Sequence, residues 1–308
     1  MGHIGLGLAA LGRPEYINIR LDTNIDKSEE AFRQNAIHVL DESYANGIRF
    51  FDTAPSYGKG EAFLMEWNAL RKYTDVILST KWGYTYVANW ELGYKGSHEI
   101  KEHSLVKLLE QWEVSKTLVP NLKVYQIHSA TIESGVLENK EVLKKLSEIK
   151  KEAGIQIGLT VSGVNQKIVI EKALEIELEG YDLFDSYQVT YNVYEQTTFN
   201  ALLMLKKAEK LLIIKEGLAN GRLYNNYNSI LNSLSLKYDV GIDAIALRFC
   251  LDAVNADVVL SGASDSKQLN ENLKANSFVL SEEDIHMLKG LKIPSDKYWK
   301  ERSLLGWS

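Results

Sequence analysis

The sequence predicts an α/β fold: eight short parallel strands closed into a (β/α)8 TIM barrel, a single domain over residues 1–308. Three observations carry this prediction. Short β-rich runs and amphipathic helical stretches alternate along the chain, eight of each. The strand-like runs are nearly all apolar, as expected for a sheet buried on both faces. With only four prolines and with its 21 glycines dispersed, the chain has no linker at which to divide, and its length suits one barrel.

Taken in order, strands are expected at residues 4–8, 48–51, 76–80, 124–128, 155–161, 183–189, 211–215 and 258–261. Helices are expected at 28–46, 61–71, 100–118, 141–151, 166–177, 199–210, 229–238 with 243–253, and 267–276. A further helix at 282–291 and an irregular tail complete the chain. Asp26 or Ser28 can cap the first helix, while Gly47, Gly154 and Gly180 follow helix ends. The rival fold is a doubly wound sheet, because Gly5-Leu6-Gly7-Leu8-Ala9-Ala10 fits the G-x-G-x-x-G/A pattern. That pattern works when its loop opens directly into a helix that holds a pyrophosphate. Here Gly12-Arg13-Pro14 and Tyr16-Ile17-Asn18-Ile19 intervene before a helix can start near Ser28, so the rival is set aside.

The net charge is −6, from 35 basic and 41 acidic residues. Lys144, Lys145, Lys150 and Lys151 alternate with Glu148 and Glu152 at helical spacing. This is a solvated helix face, not a nucleic-acid footprint. Cys250 is the single cysteine, so no intrachain disulfide is possible, and its apolar neighbours Leu247, Phe249 and Leu251 mark it as a small buried hydrophobe. The N-terminus lacks a charged n-region, and no apolar stretch approaches the roughly 20 residues of a membrane span. A cytoplasmic protein is expected. Of the six histidines only His98 and His103 are close in sequence, without matching carboxylates, so no metal site is expected. The sequence carries no signal of oligomeric state.

In a barrel, polar residues at the C-terminal strand ends stand over the active site. Reading those ends gives Asp52, Lys81 and His128, with Tyr57 five residues past Asp52. Singly, each has an ordinary explanation: a turn, a snorkelling lysine, a structural histidine, a packed loop tyrosine. In this order on successive strands they support one another.

The constellation resembles the aldo-keto reductase family, in which a strand ends in Asp, a Tyr follows five residues later, and the next two strands end in Lys and His. The likeness runs from Gly5 to about Asn272. It implies hydride transfer between a nicotinamide cofactor and a small aldehyde or ketone, or the corresponding alcohol. Tyr57 would be the general acid/base and His128 would polarise the carbonyl. Lys81 would lower the phenol's pKa from near 10, held charged and oriented by Asp52. Because some barrels of this family act as cofactor-sensing subunits, a non-catalytic binding role is the alternative.

The same likeness implies a cofactor site. The stretch from Ser261 to Asn272 resembles the segment that holds the adenosine phosphate, with Gly262, Ala263 and Ser264 at a helix start and Gln268, Glu271 and Asn272 toward the adenine. Thr160 and Gln188 would meet the carboxamide, whereas Val161 replaces a polar partner. Lys215, Leu218 and Asn220 stand after strand seven, where relatives often place a stacking aromatic. NADP(H) is expected, with NAD(H) as the alternative, because only Lys267 supplies charge and Asp265 opposes it. The family's hairpin beneath the barrel is expected to be missing. Trp82 and Tyr84 are the expected substrate contacts, from an aromatic group that includes Tyr86, Trp90, Tyr94, Trp299 and Trp307.

Overall fold

Eight short runs buried on both faces set the architecture. The strands are β1 (His3–Gly7), β2 (Phe50–Asp52), β3 (Ile77–Trp82), β4 (Leu122–Ile127), β5 (Gln156–Thr160), β6 (Ser186–Thr190), β7 (Leu211–Lys215) and β8 (Val258–Ser261). All pair in parallel and close in the order β1-β8-β7-β6-β5-β4-β3-β2, with His3 opposite Val258 and Gly7 opposite Asp52. The structure is a computed structural model and describes residues 2–16, 26–224 and 228–306.

Side chains alternate between the barrel interior and the surrounding helices. Phe50, Val124, Ile213, Val258 and Leu260 form an apolar layer, separate from the larger core that holds Phe51, Tyr125, Ile214 and Val259. The position two residues after an interior residue faces inward again. Asp52 follows Phe50 in this way, Gln126 and then His128 follow Val124, and Lys215 follows Ile213. The polar residues thus form a layer above the apolar one, at the C-terminal end of the strands. Gly5 shows how closely β1 and β8 approach: a Cβ there would lie 2.8 Å from Val258 Cγ1. The glycines of the G-x-G pattern therefore belong to a barrel strand and its packing.

The helices are α1 (Glu29–Ala45), α2 (Gly60–Arg71), α3 (Leu105–Ser115), α4 (Lys140–Ala153), α5 (Gln166–Leu174), α6 (Phe199–Lys207), α7 (Ser229–Tyr238), α8 (Ile242–Val254), α9 (Ser266–Leu273), α10 (Glu282–Lys289) and α11 (Ser295–Ser303). Ser28 caps α1 by accepting from Ala31 N, and Gly154 ends α4 in the left-handed conformation. Three expectations are corrected. Residues 99–101 are not helical: Glu99–Lys101 pairs antiparallel with Tyr84–Tyr86 in a hairpin above the barrel, and α3 starts after Ser104. Gly180 is no helix stop, but lies in the turn between the paired residues Leu178 and Tyr181. The tail is not irregular, since α11 occupies it.

β1 starts at His3, and at that end of the barrel a cavity of about 560 Å³ is lined by His3, Phe50, Ile77, Lys123, Asp185 and neighbours. Among the described residues, no helix is long and apolar enough to cross a membrane.

Candidate active site

The inward-facing polar layer forms one buried hydrogen-bonded group. Lys81 Nζ donates to Asp52 Oδ2 at 2.5 Å and to Thr53 O at 2.8 Å. Asp52 Oδ1 accepts from Ser79 Oγ at 2.9 Å and Gln188 Nε2 at 3.0 Å, and Gln126 Nε2 donates to Ser79 Oγ at 2.8 Å. Tyr57 sits over this layer, its ring centroid 4.7 Å from Lys81 Nζ and 5.6 Å from the His128 ring, edge-on. His128 Nδ1 lies 3.4 Å from Ser56 Oγ, and its backbone carbonyl accepts from His103 Nε2 at 2.9 Å. The three strand-end residues and Tyr57 therefore converge, with Lys81 behind Asp52 and the other three on the wall of one cavity of about 560 Å³.

Burial sets the protonation states. His128 is held well below the ordinary histidine value by desolvation, with Lys81, Lys215 and Arg13 adding to the effect, so the imidazole is neutral. Desolvation also lowers the Lys81 pKa, and Asp52 opposes this. The Tyr57 phenol is pushed well above 10 by burial and then by Asp52. This corrects the expectation that Lys81 lowers it. The Lys81 charge is already matched by a carboxylate at 2.5 Å, and Arg13 is the cation that opposes the rise.

The cavity extends from Tyr57 and His128 past Gln188, Lys215, Leu218 and Asn220 to Gly262, Ser264, Gln268 and Asn272. Gln188 belongs to this wall, and its Oε1 is buried with no protein partner. It is an acceptor of the kind a carboxamide NH2 satisfies, and a buried acceptor left unmatched is costly. At Gly262 a Cβ would meet nothing within 4 Å, so backbone is presented to open space. These features fit a nicotinamide dinucleotide. At the far end Ser264 N and Oγ both donate to Gln268 Oε1, and Asp265 caps α9 by accepting from Gln268 N at 2.8 Å. Asn272 Nδ2 donates to Ser261 Oγ at 2.8 Å. Lys215 donates to Ser162 Oγ and Thr190 Oγ1, both at 2.8 Å, and desolvation lowers its pKa to about 8 against the pull of Glu216.

Four expected contacts do not line the cavity. Trp82 is fully buried in the core, because it follows inward-facing Lys81 and the strand turns it toward the helices. Thr160 is buried, its Oγ1 accepting from Ser129 N at 2.7 Å. Ala263 is buried, its N–H donating to Ser261 Oγ. Glu271 pairs with Lys274 at 2.7 Å on the surface of α9. Of the loop aromatics, Tyr84 is on the wall, 4.8 Å from the His128 ring, as is Trp299. Trp90 packs edge-on against Phe32 and Tyr94 against His98; Trp307 lies outside the described residues.

The strand-end reading missed Arg13, Tyr16, Glu99, Glu216 and Arg302, all on the wall. Arg302 of α11 donates to Glu216 Oε1 from both Nε and Nη2, at 2.8 and 2.7 Å. Arg222 is not on the wall: it donates to Ala219 O and Tyr298 O.

The model of the aldo/keto reductase family matches residues 3–293. An NADH-specific methylglyoxal reductase of Escherichia coli K12 is 23% identical, with 94% of each chain covered. Two solved structures share the fold. An aldo-keto reductase from Bacillus halodurans, in its holo form, has a TM-score of 0.69 at 22% identity, covering 94% of this chain and 91% of that one. A glycerol dehydrogenase from Gluconobacter oxydans has a TM-score of 0.70 at 18% identity, covering 94% and 90%. With a family model matched over nearly all its length and a barrel of the same kind, the chain belongs to the aldo/keto reductase family.

Proposed function

We propose that the protein reduces small aldehydes or ketones with NADPH, and less readily with NADH, using Tyr57 as the proton donor. The observation that carries this reading is the convergence of Tyr57, His128 and the Asp52–Lys81 pair at one cavity, whose wall also includes Gln188. When bound, the cofactor supplies the hydride. Neutral His128 donates a hydrogen bond that positions the carbonyl oxygen, and the Tyr57 hydroxyl gives its proton as negative charge develops there. With its pKa raised by burial and Asp52, Tyr57 keeps that proton through neutral pH. This is the form reduction needs; alcohol oxidation needs the phenolate and should rise toward alkaline pH. Asp52 and Lys81 hold the floor of the site through the hydrogen bonds described above.

The cofactor preference is proposed to be modest. A bidentate arginine is the strong way to select a 2′-phosphate, and neither Ser264 nor Gln268 provides one. Lys267 is a single exposed charge, which salt screens. A cytoplasmic enzyme is in keeping with one buried thiol.

The test is a panel of simple aldehydes with both cofactors, together with titration calorimetry. We expect turnover, and NADPH bound roughly ten- to a hundredfold more tightly than NADH. Tight binding with no turnover across the panel would instead favour a cofactor-sensing subunit. A preference above about a thousandfold that ignores salt would refute the placement of the phosphate.

A further inference from the structure

Arg13, in the loop after β1, is only 2% exposed, although no strand carries it. Its guanidinium carbon lies 4.8 Å from the Tyr16 ring centroid and 5.4 Å from that of Tyr57. Nη1 donates to Ser56 O at 3.2 Å and to Glu99 Oε1 at 2.6 Å. The backbone beside it is seated just as closely. Lys59 N donates to Gly12 O at 2.7 Å, and a Cβ on Gly12 would come within 2.1 Å of Tyr57 O. Glu99 opens the second strand of the hairpin over the barrel, and both charged side chains face the cavity.

Charged and titratable groups surround the Tyr57 phenol from every side. Asp52 comes from β2, Lys81 from β3 over the ring, His128 from the end of β4, and Glu216 from beyond β7. Tyr16 lies beside it in the loop after β1. Lys81 and Asp52 are paired with each other at 2.5 Å. Arg13 and Glu99 form a second pair of opposite charges, on the same cavity wall as Tyr57.

We propose that the Arg13–Glu99 pair is a positioning device for Tyr57: it holds the ring and the Ser56 backbone, and it sets the charge balance in which the phenol exchanges its proton. A cation beside a phenol favours the phenolate and an anion opposes it, and Arg13 and Glu99 act on Tyr57 in these opposite senses. The hairpin thereby acts on a residue of a different loop. This inference rests on Tyr57 being the proton donor.

The experiment uses the holoenzyme and the variants Arg13→Met, Arg13→Lys and Glu99→Gln, with Tyr57→Phe as the blank. Two curves are recorded: the pH profile of alcohol oxidation, and the near-ultraviolet titration of Tyr57 as the difference from the blank. Arg13→Met should move the Tyr57 midpoint up and Glu99→Gln should move it down, each by about half a pH unit to one unit. Arg13→Lys keeps the charge and should restore most of the midpoint, but not the rate, because it loses the planar contact with the ring. A merely structural pair would slow both variants without moving either midpoint, and shifts of the same sign would equally overturn the proposal. Opposite shifts in the titration without a matching shift in the rate profile would support the pair while contradicting Tyr57 as the donor. Should Arg13→Met fail to fold, Glu99→Gln and Arg13→Lys still decide the question.

Discussion

Lys81 and Asp52 meet across adjacent strands of the barrel, whereas Arg302 and Glu216 meet between a strand end and a helix 86 residues further on. Both carboxylates line the same cavity, and both accept more than one hydrogen bond. Asp52 is locked by Lys81, Ser79 and Gln188, all held in register by backbone pairing, and its ion pair is essentially closed to water. Glu216 is bound by Arg302 and by the Tyr298 hydroxyl at 3.3 Å, while the Arg302 side chain stays 26% exposed. Burial pushes the Glu216 carboxyl up, but Arg302 and Lys215 outweigh it and hold its pKa at about 2. One pair is therefore part of the barrel itself; the other helps fasten α11 over it.

Breaking each pair should separate these roles. Lys81→Met leaves a fully buried carboxylate without its cation, so it should cost about 3–5 kcal/mol in denaturant unfolding and abolish turnover. Asp52→Asn should cost less, because an amide oxygen still accepts from Ser79 and Gln188. Arg302→Met should cost roughly 1–2 kcal/mol, since water reaches its side of the pair. Its main effect should be a higher KM with kcat nearly kept, as expected when a binding wall is loosened and the chemistry is untouched. Equal losses of stability and of kcat in Lys81→Met and Arg302→Met would contradict the division.

The same contrast explains what the sequence made legible. Asp52, Lys81 and His128 were visible because strand period and barrel topology alone decide that strand-end residues in register with the interior layer face the site. Applied one residue further, the same rule turns Trp82 outward into the core and away from the substrate position expected for it. Arg13, Glu99 and Arg302 are different. They lie in a loop, a hairpin and the tail, and only the folded chain brings them to the cavity. Nor could a list of residues show how deeply the Tyr57 phenol is buried. The expected lowering of the Tyr57 pKa therefore gave way to a rise, caused by burial. Thr160 and Glu271, whose ligand roles are implied by the resemblance alone, meet Ser129 and Lys274 in this chain.

The central claim is that Tyr57 gives the proton, and Tyr57→Phe tests it most directly, with cofactor affinity and turnover measured on the same preparation. The substitution removes one hydroxyl and leaves the ring against His128 and Lys81. The account predicts nucleotide affinity close to that of the unaltered protein and turnover reduced by at least about a hundredfold, the contribution expected of a positioned general acid. A variant that binds the nucleotide normally and keeps more than about a tenth of the rate would place the proton donor elsewhere and contradict the account.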